Sequence, residues 1–160
     1  MTGETNLSVL LKSMQPMLHE GEYVFCSISQ QDRFLDLDFI CSFREQEGLA
    51  LILRRERADM AGLGYSSTFR MVTLSVHSSL EAVGFLAAIA TKLAQHGISV
   101  NPVSAYYHDH LFVPASRAEE VMALLQEFSE YENSSSAPPD KKLSSAPPDK
   151  ASRDETEQGN

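Results

Sequence analysis

Between Phe69 and residue 131 the apolar residues of this chain switch repeatedly between a period of two and a helical period. That succession allows few folds. "TFRMVTLSV" alternates, with Phe69, Met71, Thr73 and Ser75 on one side and Val72, Leu74 and Val76 on the other, the pattern of a strand. "SSLEAVGFLAAIATKLAQHG" then carries Leu80, Val83, Leu86, Ala90 and Leu93 as an apolar helical stripe. Ser78 with Glu81 reads as a capping box at its start, and Gly97 as its left-handed stop. "ISVNPVSAYY" and "HLFVP" are two further strands, the first placed at an edge or bulge by Pro102. A second box, Ser116 with Glu119, opens a helix whose Val121, Met122, Leu125 and Phe128 face inward. The order β-α-β-β-α is a split βαβ of the ferredoxin-like type that lacks its last strand. Right-handed crossovers put both helices on one face of an antiparallel sheet.

The earlier part of the chain must close the open edge. Leu7, Leu10, Leu11 and Met14 lie at helical spacing after Thr5 or Asn6 as a cap, and Pro16 ends that helix. "GEYVFCSI" reads as a strand, and "DFICSFREQEGLALILRR" as a hairpin about Glu47 and Gly48. A short helix, "RERADMAGLG", follows. The expected fold class is α+β: two intertwined ferredoxin-like half-units, residues 1–68 and 69–132, with antiparallel sheets and helices on one face. Residues 133–160 differ in kind. They hold one large aliphatic residue, Leu143, and repeat "SSAPPDK" at 135–141 and 144–150, a composition expected to stay disordered.

Charge narrows the class of function. Thirteen Lys and Arg stand against twenty-two Asp and Glu, a formal net charge of −9. An acidic chain with no basic stripe argues against nucleic acid and anionic membrane as partners. Neither a signal peptide nor a long uncharged apolar run is evident, and Cys26 and Cys41 lie in apolar strands as reduced thiols would, so the expected location is the cytoplasm.

The chemistry on offer is sparse. No serine sits in a glycine-flanked elbow, and Asp36 and Asp38 alternate as one solvated face. "SAYYHDHLFVP" places His108 and His110 two residues apart, able to share a face with Asp109 opposite. A bare His-x-His without a third ligand at fixed spacing is thin ground for a metal site or a metal-dependent enzyme. We therefore expect no catalytic residue, no metal and no cofactor. The better candidate is the capped mouth of the helix that begins at residues 78–83. Its backbone N–H groups and positive dipole end suit an anion, and Gly84 permits a close approach. A free amino acid fits such a place, its carboxylate on the amides and its ammonium on an acceptor such as Asn101 or Asp109.

The stretch "FRMVTLSVHSSLEAVGFLAAIATKLAQHGISVNPVSAYYHDHLFVP" resembles an ACT domain, the amino-acid-sensing βαββαβ module. Residues 76–84 fall where that family has its ligand loop, and "HGIS" at 96–99 where it has Gly-Ile and the next strand. The loop lacks the family's frequent Asp-x-Pro-Gly, and the first half has no loop-glycine-helix motif after "EYVFCSI". From residue 7 to about 130 the chain resembles a small stand-alone tandem ACT group. The resemblance implies a non-catalytic regulatory protein that binds a small amino acid through His77, Ser78, Ser79, Leu80, Glu81, Val83 and Gly84, facing Ile98, Val100 and Asn101. It further implies a homodimer or a partner metabolic enzyme, or, in the alternative, a ligand-free oligomerisation or assembly module.

Overall fold

A computed structural model describes residues 3–29 and 37–130; the repeated tail and Asp36 lie outside them. The strand read from "TFRMVTLSV" is β5 (Phe69–Leu74), and its alternation does divide it. Val72 and Leu74 enter one apolar cluster, while Met71 and Phe69 enter another on the opposite face. Around it a seven-stranded sheet forms from β1 (Pro16–Leu18), β2 (Tyr23–Ile28), β3 (Phe39–Arg44), β4 (Leu49–Arg54), β6 (Asn101–Ser104) and β7 (Asp109–Pro114). The order is β3-β4-β2-β5-β7-β6, with β1 also on β5, and all pairings are antiparallel.

The two halves share this sheet because β5 is paired along both edges. β7 pairs with it from Phe69↔Pro114 to Leu74↔Asp109. On the other edge β1 takes Val72 to Leu74, and β2 joins at Tyr23↔Phe69 before running on to β4. Proline therefore begins a strand where the sequence reading had it only end a helix: α1 (Leu7–Ser13) stops three residues before it. Pro16 is tolerated at a first strand position because it needs no N–H there.

The four α-helices among the described residues lie on one face. Tyr23 and Phe69 are cross-strand partners, so Val24, Cys26 and Ile28 share a face with Val72 and Leu74. Against that face pack α1, α3 (Phe85–Gln95), α4 (Ala118–Glu130) and, on the first half, α2 (Arg55–Met60), whose Ala58 is buried with Val24, Leu51 and Leu53. Leu10 of α1 and Met14, its C-cap, sit in one cluster with Ile89, Leu93, Val121 and Leu125. The N-terminal helix thus completes the C-terminal core, which is the intertwining that the missing edge required. None of the described helices is long and apolar enough to cross a membrane.

Two capping boxes expected from the sequence do not form. The helix assigned to Ser78 begins at Phe85, capped by Gly84 in the left-handed region at φ 93°. Ser78 donates its hydroxyl to Asp109 instead, and Leu80 and Val83, expected in the stripe, are 70% and 84% exposed. The buried stripe is Phe85, Ile89 and Leu93. Near Ser116 a 3-10 turn (Ala115–Arg117) precedes α4, and Glu120 pairs with Arg117 at 2.6 Å. Leu124 joins Val121 and Leu125 among the buried residues of α4, with Met122 and Phe128 packed at the edge. β6 is shorter than the run read for it, with Ile98 and Val100 before it and Tyr106 and Tyr107 in the turn after it. Gly97 does follow the end of α3, at φ 65°. Both cysteines are free, Cys26 buried and Cys41 only half-buried.

The opposite face of the sheet carries a short polar array. The ring Nε2 of His19 lies 2.7 Å from Thr73 Oγ1, which lies 2.9 Å from His110 Nδ1. The single hydroxyl proton serves one histidine while the oxygen accepts from the other. Burial holds His110 below the ordinary histidine range, the charges of His108 and His19 add to this, and Asp109 opposes it.

Two outcomes follow. Leu10→Ala should lower unfolding free energy by about 2–5 kcal/mol in urea denaturation, because a fully buried leucine at the centre of the shared core leaves a cavity. Stability should also be full above about pH 6.5 and fall as pH drops through that value, because the unfolded chain takes a proton at His110 that the folded chain resists. Melting midpoints between about pH 7.5 and pH 5.5 measure this; the fall should be smaller in His110→Asn.

Candidate ligand pocket

The pocket is built where β5 gives way to α3. After Leu74 the chain is pulled sideways rather than into a helix. Ser75 donates to the carbonyl of Gln15 at 3.0 Å, and the residues beyond it are laced to the N-terminal segment. The Glu4 N–H donates to the His77 carbonyl at 3.0 Å and the Ser79 N–H to the Glu4 carbonyl at 2.8 Å, a parallel bridge between Glu4 and Ser78. Gly3 lies so close to this loop that a Cβ there would fall 2.5 Å from the Ser79 nitrogen. Ser79 Oγ then accepts from the Glu81 N–H at 3.2 Å and its carbonyl from Ala82 at 2.9 Å, closing a turn.

Gly84 ends the turn and opens α3. Its φ of 93° is costly for any residue with a Cβ, and Leu7 of α1 would stand 3.3 Å from one. The first intrahelical bond runs from Ala88 to Gly84, at 2.9 Å. The N–H groups of Phe85, Leu86 and Ala87 therefore have no partner within the helix, and they sit at its positive dipole end.

Facing them is Asp109, the first residue of β7 and only 7% exposed. The β6–β7 hairpin pairs it with Ser104, whose hydroxyl donates to Oδ1 at 2.6 Å. Ser78 donates to Oδ2 at 3.1 Å. A cavity of about 220 Å³ is lined by Ser78, Ser79, Leu80, Ala82, Gly84, Phe85, Leu86, Ala87, Ser104 and Asp109. It joins an anion-accepting wall of amides to a cation-accepting carboxylate. At this size it falls below the roughly 300–1,000 Å³ typical of drug-sized ligands and suits a smaller molecule.

The structure gathers only part of the residues expected from the sequence. Ser78, Ser79, Leu80 and Gly84 line this cavity. His77 and Glu81 line a shallower hollow beside it with Gly3 and Tyr106. Val83 faces away from the core, while Ile98 is buried in the core and Val100 packs against it. Asn101 pairs across from Phe112 on the opposite sheet face, where its Nδ2 donates to the Phe112 carbonyl at 3.4 Å. Of the two acceptors considered for an ammonium group, only Asp109 is at the pocket. Ser104 was missed, yet its signal was legible: a hairpin turned at "AYYH" sets residues 104 and 109 opposite one another.

The histidines of "YYHDHL" separate. His108 lies in the turn, its Nδ1 at 3.3 Å from the Val76 carbonyl, and His110 belongs to the array on the other face. Among the described residues no three His, Cys, Asp or Glu side chains come together as a metal-holding group. A larger hollow of about 610 Å³ lies between α1, α3 and α4, lined by Leu11, Ala88, Lys92, Glu127 and Phe128 among others. Lys92 there is already committed, 2.7 Å from Glu127 and 4.6 Å above the Phe128 ring, and none of the sequence-derived site residues reaches it.

Comparison with known proteins agrees with this architecture. Family models described as ACT domain match residues 2–70 and residues 66–127. No curated protein matches the chain. A crystal structure from Vibrio cholerae, of a protein of unknown function described as a possible transport protein, is 50% identical, with TM-score 0.71, covering 77% of this chain and 95% of that one. The ligand-free regulatory subunit of aspartate kinase from Thermus thermophilus superposes with TM-score 0.55 at 12% identity, over 73% of this chain and 97% of that one. Aspartokinase III of E. coli, in complex with aspartate and ADP, gives TM-score 0.53 at 13% identity, over 71% of this chain and 32% of that one. At such identities these last two speak for the fold alone. With two ACT domain models in tandem across its described residues, the chain belongs to the ACT domain family.

Proposed function

We propose that this protein is a non-catalytic regulatory module that binds a small amino acid in the cavity at the start of α3, and that the bound state is read by a partner metabolic enzyme in the cytoplasm. One observation carries the reading. The buried Asp109 and the residues Phe85, Leu86 and Ala87, whose amides have no partner within the helix, line the same cavity. Opposite polarities on one cavity are what a zwitterion needs: the α-carboxylate on the amides and helix dipole, the α-ammonium on the aspartate. A cavity of about 220 Å³ leaves room for only a small side chain. The Vibrio cholerae relative is of unknown function, a possible transport protein, and the Thermus thermophilus neighbour is the regulatory subunit of an aspartate kinase.

A second reading rests on the same aspartate. Asp109 already accepts from Ser78 and Ser104, so it also serves as a built-in counter-charge to the α3 dipole. On that reading the fold is a ligand-free assembly module and Asp109 is purely structural.

Thermal unfolding with each of the twenty amino acids separates the two. A binder should raise the midpoint progressively with concentration, by the free energy RT ln(1 + [L]/Kd). Asp109→Asn, which keeps the shape but not the charge, should weaken that ligand roughly 10- to 100-fold, the worth of one charged hydrogen bond. Should all twenty leave the midpoint unmoved at millimolar levels while Asp109→Asn still destabilises the free protein, the assembly reading stands and the sensing one falls.

A further inference from the structure

The hollow of about 610 Å³ between α1, α3 and α4 takes no part in the pocket at the start of α3, and its walls follow from helical spacing. Ser8, Leu11 and Lys12 stand three and four residues apart and so share one flank of α1; Ala88, Lys92 and Gln95 do the same on α3. Glu127 and Phe128 close the hollow from the last turns of α4. Ser8 and Ala88 are too small to fill the space between their helices, while Leu11 and Phe128 pack against the main core and give the hollow an apolar floor. Its volume lies within the roughly 300–1,000 Å³ of small-molecule sites.

Its charge runs against that of the chain. Before residue 133 the sequence has two lysines, Lys12 and Lys92, and both line this hollow. Among the described residues Glu127 is the one acid in the lining, in a protein of net charge −9. Lys92 is held in place. Its side chain is only 16% exposed, with the ammonium 2.7 Å from Glu127 Oε2 and 4.6 Å above the Phe128 ring. An ammonium has three N–H bonds, and Glu127 takes one of them. The last turn of α3 is the negative pole of its dipole, so the attraction of this place for an anion comes from the lysines.

We infer that this hollow binds an apolar monocarboxylate, an acid with a short hydrocarbon chain, its carboxylate on Lys92 and Lys12 and its hydrocarbon against Leu11, Ala88 and Phe128. Two chemistries have to be met at once. A phosphate or other compact anion would leave the apolar floor unused, and a neutral hydrocarbon would leave the lysines unused. The site also differs in kind from the one at Asp109. There a carboxylate faces helix amides, whereas here the single carboxylate, Glu127, already has its ammonium in Lys92. A molecule with one anionic head and no cation of its own is therefore the better match.

Titrating the ¹⁵N-labelled full chain with octanoate, kept below micelle formation, tests this. Saturable shifts are expected at the amides of Lys12, Lys92 and Gln95, with those of Phe85, Leu86 and Ala87 unmoved. Octanol keeps the chain and lacks the charge; it should bind at least about tenfold more weakly, as should octanoate to Lys92→Gln, the worth of one charged hydrogen bond. Ala88→Leu fills the hollow and keeps both lysines, and it should weaken octanoate by a similar factor. The absence of a saturable response by about 1 mM octanoate overturns the inference. A full chain whose residues beyond 130 already fill the hollow gives that result. Octanol binding as well as octanoate, either variant binding like the wild type, or shifts centred on residues 85–87 overturn it equally. Since the pocket at the start of α3 is read separately in the same spectra, failure here leaves the amino-acid reading untouched.

Discussion

Everything in this fold is hung on β5. A strand paired on one side only would leave a row of backbone donors and acceptors open; this one is paired with β7 on one edge and with β1 and β2 in succession on the other. Because β2 leaves β5 for β4 after Tyr23, the second edge of β5 is also the seam between the two halves. Both faces of β5 are consequently buried from Met71 onward, and Thr73 is among the few polar side chains so placed. Its hydroxyl is held between two histidines, which satisfies it where water does not reach freely.

The same arrangement makes the pocket. The chain leaves β5 directly into the loop of residues 75–84, and the N-terminal segment that leads into α1 is bonded to that loop through Glu4. With the loop's backbone committed to this neighbour, Ser78 is turned toward Asp109 and the helix is deferred to Gly84. Tertiary bonding has thus overridden a local capping signal and in doing so has left a hollow in front of three helix amides. A carboxylate buried opposite them needs its hydroxyl donors, and the β6–β7 hairpin supplies Ser104 at the right register.

Much of this was written in the sequence in the form of periodicity. The alternation of β5, the stop at Gly97 and the hairpin about Gly48 depend on local spacing, and each is present, while of the stripe read for α3 only Leu93 is fully buried. Ser78 fails as a cap for a reason no local window contains, since it is taken by a residue thirty-one positions away. The pocket was legible as a place and not as a set of side chains. Leu80 and Val83 share apolarity with the core stripe but precede the helix, so their phase carries them outward. Asn101 and Asp109 are equally plausible acceptors until strand parity sends one to each face.

The central claim is that two opposite charges of one small molecule are received by the first turn of α3 and by Asp109. The direct measurement is a set of ¹H–¹⁵N spectra of the full chain titrated with an α-amino acid that it binds, with the amine lacking its carboxylate, and with the acid lacking its ammonium. The account predicts that the amides of Phe85, Leu86 and Ala87 move in saturable fashion with the intact amino acid and hardly at all with either fragment. Equal shifts from a simple carboxylate, or none from any of the three, would contradict it.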